Sequence, residues 1–213
     1  MYDTDVVSVK PQPTLRAEQA SETRRRILDA AARVFEQQGF AGARIEDIAG
    51  EAGVAVPTVY KGFANKVNLL VGALDQVMVG GEGTSIDQQA WFAEQLDEPD
   101  PERQLHLVAR NARRIYDRAG GLLTVLRAAT PLDPGLEAAW DDISTQRLER
   151  GRRTARNLAA KAKDRLLVSP DEAAVTLWAL TEPELFASYT AAKRSAHQYE
   201  TWLGNLLRRA LLR

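Results

Sequence analysis

Cysteine is absent from the 213 residues, which excludes disulfide frameworks, thiolate zinc sites and cysteine nucleophiles in one step. Histidine is almost absent as well. His106 and His197 lie far apart, and neither has a carboxylate at metal-ligand spacing, so no metal is expected. No apolar run approaches the roughly 18 residues of a membrane span, and no basic segment followed by an apolar one opens the chain, so a cytoplasmic protein without a membrane partner is expected. A charge excess is also lacking: the formal net charge is -1, and any affinity for nucleic acid must come from local placement of cations. No strand, Gly-Lys-Ser/Thr ending or clefted carboxylate pair supports a phosphate loop or general acid/base work, so neither catalytic residues nor a cofactor are expected.

What the chain does have is helical periodicity. Hydrophobic residues make up 45% and charged residues 27%, enough for a sizeable core. Residues 1–20, with Pro11 and Pro13, show no period and read as a disordered tail. From Ser21, a possible cap, Ile27, Leu28, Ala31, Val34 and Phe35 recur at helical spacing until Gly39. Ile45, Ile48, Ala49 and Ala52 mark a second short helix ended by Gly53, and Thr58, Val59 and Phe63 a third. A fourth runs from Lys66 to Val79, where Gly80, Gly81 and Gly83 form a linker.

The remainder reads as a helical bundle. Trp91, Phe92 and Leu96 indicate a short helix; Leu105 to Tyr116 indicate another, interrupted at Gly120 and Gly121 and resumed as a separate helix from Leu122 to Ala129. Asp133 and Pro134 start a long helix ending near Asp164. Capping-box patterns at Ser169 with Glu172 and at Ser195 with Gln198 start the last two, the first of them bent at Pro183. The predicted fold is therefore all-α: an N-terminal three-helix domain with a helix-turn-helix at 21–67, then a C-terminal helical bundle at 68–213.

The run IEDIAGEAGVAVPTVYKGF carries the functional reading. Ala49 is small where the third helix crosses the second, Gly53 can adopt the positive φ of the turn, and Val59 fills the wedge between them. Together with its flanks, FAGARIEDIAGEAGVAVPTVYKGFANKVNLL (Phe40 to Leu70) resembles the N-terminal part of the TetR (tetracycline-repressor) family. RAATPLDPGLEAAW (Arg127 to Trp140), LWALTEPELF and YETWLGNLLRRALL resemble that family's regulatory part more loosely.

The resemblance implies that the helix opening near Ala55 enters the DNA major groove. Ala55, Val56, Pro57, Thr58, Tyr60 and Lys61 then lie closest to DNA, with Val56 and Pro57 on thymine methyls and the polar groups on phosphates or a guanine edge. Arg44 and Lys66 would hold phosphates on either side, and Arg24, Arg25 and Arg26 the backbone or a minor groove. Val56 and Gly62 depart from the family, which usually has a polar and a bulkier residue there. The bundle is implied to bind an apolar or aromatic small-molecule effector, with Tyr116, Leu123, Arg127, Trp140, Ile143 and Trp178 as candidates, and to form a homodimer through the two C-terminal helices. Such a dimer would read a palindromic operator and act as a repressor released by its effector. A helical small-molecule binding protein with a vestigial helix-turn-helix is the alternative.

Overall fold

The computed structural model describes residues 15–79 and 85–213. Ten α-helices run in order: α1 Leu15–Gly42, α2 Ile45–Ala52, α3 Val56–Phe63, α4 Lys66–Val79, α5 Ala90–Asp97, α6 Pro101–Ala129, α7 Pro134–Ala162, α8 Pro170–Leu180, α9 Pro183–Ala191 and α10 Ala196–Leu211. Short 3-10 turns at 86–88, 130–132 and 163–165 join some of them. Among the described residues there is no strand, only an isolated antiparallel bridge between Leu166 and Leu212. No helix there is long and apolar enough to cross a membrane.

The first three helices close around one apolar cluster. Ile27, Ala31, Val34 and Phe35 of α1 meet Ile48, Ala49 and Ala52 of α2 and Val59 and Phe63 of α3, all buried. Gly53 ends α2 in the left-handed region (φ 65°, ψ 41°), and its N–H bonds back to the carbonyls of Ala49 and Gly50. The positive φ favours glycine at position 53, and an added Cβ there would lie 2.8 Å from Arg26 Nη2 and displace that guanidinium. Gly39 breaks α1 with a different positive-φ conformation, φ 68° and ψ 174°, leaving a single turn beyond it.

Several sequence expectations need correction. α1 begins at Leu15, so residues 15–20 are helical rather than part of a tail, and Ser21 lies inside the helix instead of capping it. These opening turns are solvent-exposed and carry no apolar stripe, which is why periodicity did not reveal them. Residues 1–14 and the glycines at 80, 81 and 83 lie outside the described residues.

The second correction concerns Gly120 and Gly121, which do not interrupt α6. They sit where other elements approach it: an added Cβ at Gly121 would fall 2.5 Å from the Glu36 carboxylate of α1, and one at Gly120 3.9 Å from the Phe186 ring. Both glycines thus lie where α1 and α9 pass over a continuous α6 rather than at a helix end, and each costs α6 about 1 kcal/mol of helix propensity. Third, Pro183 does not bend one helix but starts a new one, with Thr181 and Glu182 between α8 and α9. Proline has no N–H to continue the ladder, so the last carbonyls of α8 must find other donors.

The remaining starts are capped as their sequences suggest. Asp100, Asp133, Ser169 and Ser195 each accept a backbone N–H from the first turn, and Ser195 with Gln198 forms a full reciprocal box. α6 and α7 form the spine of the bundle. α10 packs along α6, α8 packs along α7, and α4 rests on α1, α6 and α7, so one continuous apolar core joins both ends of the molecule.

Candidate nucleic-acid interface and effector cavity

α3 buries only two side chains, Val59 and Phe63. Its opposite face presents Pro57, Thr58, Tyr60 and Lys61 to solvent, with Tyr60 50% exposed although it is a large aromatic. Ala55 is an exposed N-cap position and Val56 is half-buried against the core. Gly62 has open space around it, so no steric demand in the folded chain explains the absence of a side chain there.

The cations around α3 do different things. The Arg24 guanidinium lies 4.4 Å over the Phe63 ring and donates to the Gly62 carbonyl at 3.3 Å, clamping α1 to the end of α3. Arg26 donates to the carbonyls of Ala52 and Gly53, satisfying acceptors left at the end of α2. Arg25 pairs with Glu22 at 2.7 Å and Asp29 at 3.4 Å, and its hydrogen bond holds the Glu22 carboxyl below the usual carboxylate range. Lys66 donates to the Ala43 carbonyl at 3.1 Å and lies 4.6 Å over the Phe40 ring. Arg44, exposed, approaches Glu46 at 3.6 Å. Arg24 and Arg26 thus have an internal tying role that sequence reasoning missed; their contacts span 38 and 26 residues and no local pattern announces them. Asn65 was also missed: its Oδ1 accepts the Asn68 N–H at 2.8 Å and caps α4.

A second site lies in the bundle. A cavity of about 100 Å³ opens between α4, α5, α6, α7 and the α8–α9 junction. Its apolar wall includes Met78, Ile86, Trp91, Phe92, Ile115 and Leu177. Tyr116, Leu123, Ile143 and Trp178 line it, but Arg127 and Trp140 do not. Arg127 instead stacks 5.1 Å over Trp140 and pairs with Glu184 at 3.6 Å, tying the end of α6 to α7 and α9. Four other aromatics form a cluster: Phe186, Tyr189, Tyr199 and Trp202 pack ring to ring, with Tyr116 at its edge toward the cavity.

The polar part of the wall follows from the helix break at Pro183. Arg147 of α7 donates to the carbonyls of Trp178 (3.0 Å) and Thr181 (2.8 Å) and pairs with Glu182 at 2.7 Å, and the Tyr116 hydroxyl donates to the Thr181 carbonyl. Two side chains therefore satisfy the acceptors that the break exposes. Burial pushes the Tyr116 phenol up to about 12, with nearby Arg147 opposing, so it is a neutral donor at physiological pH. Asn111 bonds Gln95, which bonds Thr154, giving a buried amide chain on the opposite wall. Sequence reading found none of Arg147, Asn111 or Gln95, because each stands alone on its helix and acquires a partner only from other elements.

The TetR-family N-terminal domain ("Bacterial regulatory proteins, tetR family") matches residues 27–73, from the first buried residue of α1 to the middle of α4. Residues 27–73 thus carry the N-terminal domain of the TetR family. The chain is 34% identical over 124 residues to the transcriptional repressor NicS of Pseudomonas putida, covering 58% of this chain and 55% of NicS. A 68-residue match at 40% identity to the repressor KstR of Mycobacterium tuberculosis covers 32% of this chain and 31% of KstR. The chain thus spans about half the length, or less, of the curated relatives it matches. The crystal structure of NalD, a repressor of a multidrug efflux pump in Pseudomonas aeruginosa, superposes with a TM-score of 0.71 at 25% identity, over 92% of this chain and 98% of NalD. The chain therefore shares its all-helical architecture with NalD across both the head and the bundle.

Proposed function

We propose that this protein is a dimeric, sequence-specific DNA-binding repressor released by a small molecule held in the bundle cavity. The observation that carries the reading is the exposed face of α3. A short helix wedged across α2 by Val59 and Phe63, while Pro57, Thr58, Tyr60 and Lys61 stand in solvent, fits insertion into a major groove. Thr58 and Tyr60 supply phosphate hydrogen bonds and Lys61 a phosphate or guanine contact, with Ala55, Val56 and Pro57 against base edges. Arg24, Arg25, Arg44 and Lys66 are the cations assigned to the flanking phosphates. Lys66 retains donors beyond the one used internally, whereas Arg26 serves chiefly to hold the turn.

Coupling has a physical route. α4 begins at Lys66 on the reading head and ends beside the cavity, where Met78 forms part of the wall, a span of about 20 Å. A ligand that displaces Met78 shifts the helix on which the head rests. Ligand and DNA then antagonise one another through a single linked equilibrium. The dimer is assigned to α8 and α10. α10 buries Tyr199, Leu203, Leu207 and Leu211 inward but leaves Trp202, Leu206 and Ala210 half-exposed, and α8 leaves Val175 54% exposed. Two copies joined there would set the recognition helices about one turn of DNA apart, roughly 34 to 36 Å.

The test is selection of bound fragments from random and genomic DNA at near-physiological salt. Enrichment of a two-fold symmetric motif supports the reading. Recovery of only salt-sensitive fragments without a motif overturns it and favours a helical small-molecule binding protein.

A further inference from the structure

Arg150 stands out on the cavity wall. Its side chain is 14% exposed, yet its nearest carboxylate, Asp87, is 3.7 Å away, longer than a hydrogen bond, and Asp87 is shared with Arg153 at 3.5 Å. Burial lowers the Arg150 pKa from its ordinary value, as expected of an incompletely compensated charge, although a guanidinium stays protonated at neutral pH. Arg147, one turn earlier, differs: two carbonyls and the Glu182 carboxylate, all within 3.0 Å, occupy it.

Two further atoms on the same cavity wall lack partners in the structure. Trp178 Nε1 is a buried donor and Asn111 Oδ1 a buried acceptor, neither hydrogen-bonded. α7 and α8 cross closely beside Arg150, since a Cβ at Gly151 would lie 3.1 Å from the Ala174 carbonyl and 3.9 Å from the Trp178 nitrogen, so Arg150 and Trp178 belong to adjoining walls. Unmatched buried polar atoms cost on the order of 1–3 kcal/mol each until something pairs with them. Among the described residues no Asp or Glu lines the cavity, which disfavours a cation. The volume of about 100 Å³ is on the scale of one ring, given that an apolar cavity on the order of 150 Å³ accepts benzene.

We propose that the cavity binds a single-ring carboxylic acid, its carboxylate on Arg150 and its ring among Trp91, Phe92 and Ile115. This rests on the reading of the cavity as the effector site and adds the chemistry of the effector. A charge-assisted bond to Arg150 supplies specificity, and Trp178 Nε1 offers a second donor to the same polar end. Asn111 Oδ1 remains available to a hydroxyl or ring N–H on the ligand.

The experiment is calorimetric titration of the full chain with benzoate, phenol and benzylamine near pH 7.4, for the wild type and the variants Arg150→Gln and Asp87→Asn. Benzoate is expected to bind at least 10-fold more tightly than the other two. Arg150→Gln should cost benzoate 10-fold or more and leave phenol within 2-fold, whereas Asp87→Asn should tighten benzoate several-fold by removing the competing carboxylate. A purely structural role for the Arg150–Asp87 pair would make both variants weaken binding alike. Phenol or benzylamine matching benzoate, the two variants shifting together, or no binding of any probe at millimolar concentration overturns the acid assignment. Selected DNA titrated with and without benzoate separates the two readings. Benzoate binding that leaves DNA affinity unchanged sinks the effector role while the acid site stands, and DNA selection succeeding without benzoate binding does the reverse.

Discussion

The reading head and the bundle are built from similar apolar helices, but they present their chemistry in opposite ways. The head pushes its functional groups outward from one short helix: Pro57, Thr58, Tyr60 and Lys61 are within five residues of each other and exposed. The cavity gathers its groups inward from five helices, with Asn111, Arg147, Arg150 and Trp178 spread over nearly 70 positions and buried or half-buried. A surface that meets a large, uniform polyanion needs only local order and a rigid support. A site that must enclose a small molecule requires convergence from many directions, and each polar group needs a partner once water is gone.

If the two regions share one core, damage to the head should be felt by the whole chain. Phe35 is fully buried between α1 and the rest of the head, so Phe35→Ala is expected to lower unfolding free energy by about 3–5 kcal/mol, in a single urea transition. Two separated transitions would show instead that head and bundle unfold independently.

The bundle has its own sensitive point, of slightly smaller effect. Arg147→Met removes the guanidinium, leaving the half-buried Glu182 carboxylate without its cation and the Trp178 and Thr181 carbonyls each short of a donor at the α8–α9 break, at a cost of about 3 kcal/mol. Thermal melts should show the loss while affinity for selected DNA, measured well below the melt, stays within a few-fold. An equal loss of DNA affinity would place Arg147 in the coupling route as well as in the wall.

Alkaline pH should act on the bundle before the head. The folded Tyr116 phenol sits near 12 against about 10 when unfolded, so the fold holds that proton more tightly. Stability is therefore full below pH 10 and declines as pH rises from 10 to about 12, by about 2–3 kcal/mol, and burial of Tyr199 adds in the same direction. Urea midpoints against pH should be flat from 7 to 9.5 and fall thereafter. Replacing Tyr116 with Phe should reduce the slope; an unchanged slope would assign the decline elsewhere.

The smallest expected change in stability distinguishes the surfaces most clearly. Tyr60→Ala or Lys61→Ala is expected to weaken binding to selected DNA about tenfold, roughly 1.4 kcal/mol, with stability altered by less than about 0.5 kcal/mol. Lys61→Ala should also flatten the dependence of affinity on salt by about one ion. Unaltered binding in both variants would remove α3 from the interface.

Legibility followed the same division. Gly53, Ala49 and Val59 are diagnostic because a helix-turn-helix has fixed local spacing, and the structure places each where that spacing requires. Helix starts with side-chain caps were readable at Asp133, Ser169 and Ser195 for the same local reason. Gly120 and Gly121 were misread as an interruption because a glycine pair in sequence does not tell a helix end from a close crossing; Glu36 and Phe186, distant in the chain, decide it. Arg127 and Trp140 were placed in the cavity from their residue types, yet they satisfy one another at the far end of α6.

By itself, the sequence determined the helical class, the positions of most helices and the outward chemistry of α3, since periodicity, capping and a tight turn depend on neighbours a few residues apart. Only the tertiary structure decided which buried polar groups meet at the cavity, which arginines are consumed in holding the head together, and which one is left facing the cavity with a distant partner. Those outcomes depend on how helices cross, and a crossing brings together residues whose spacing in the chain carries no record of it.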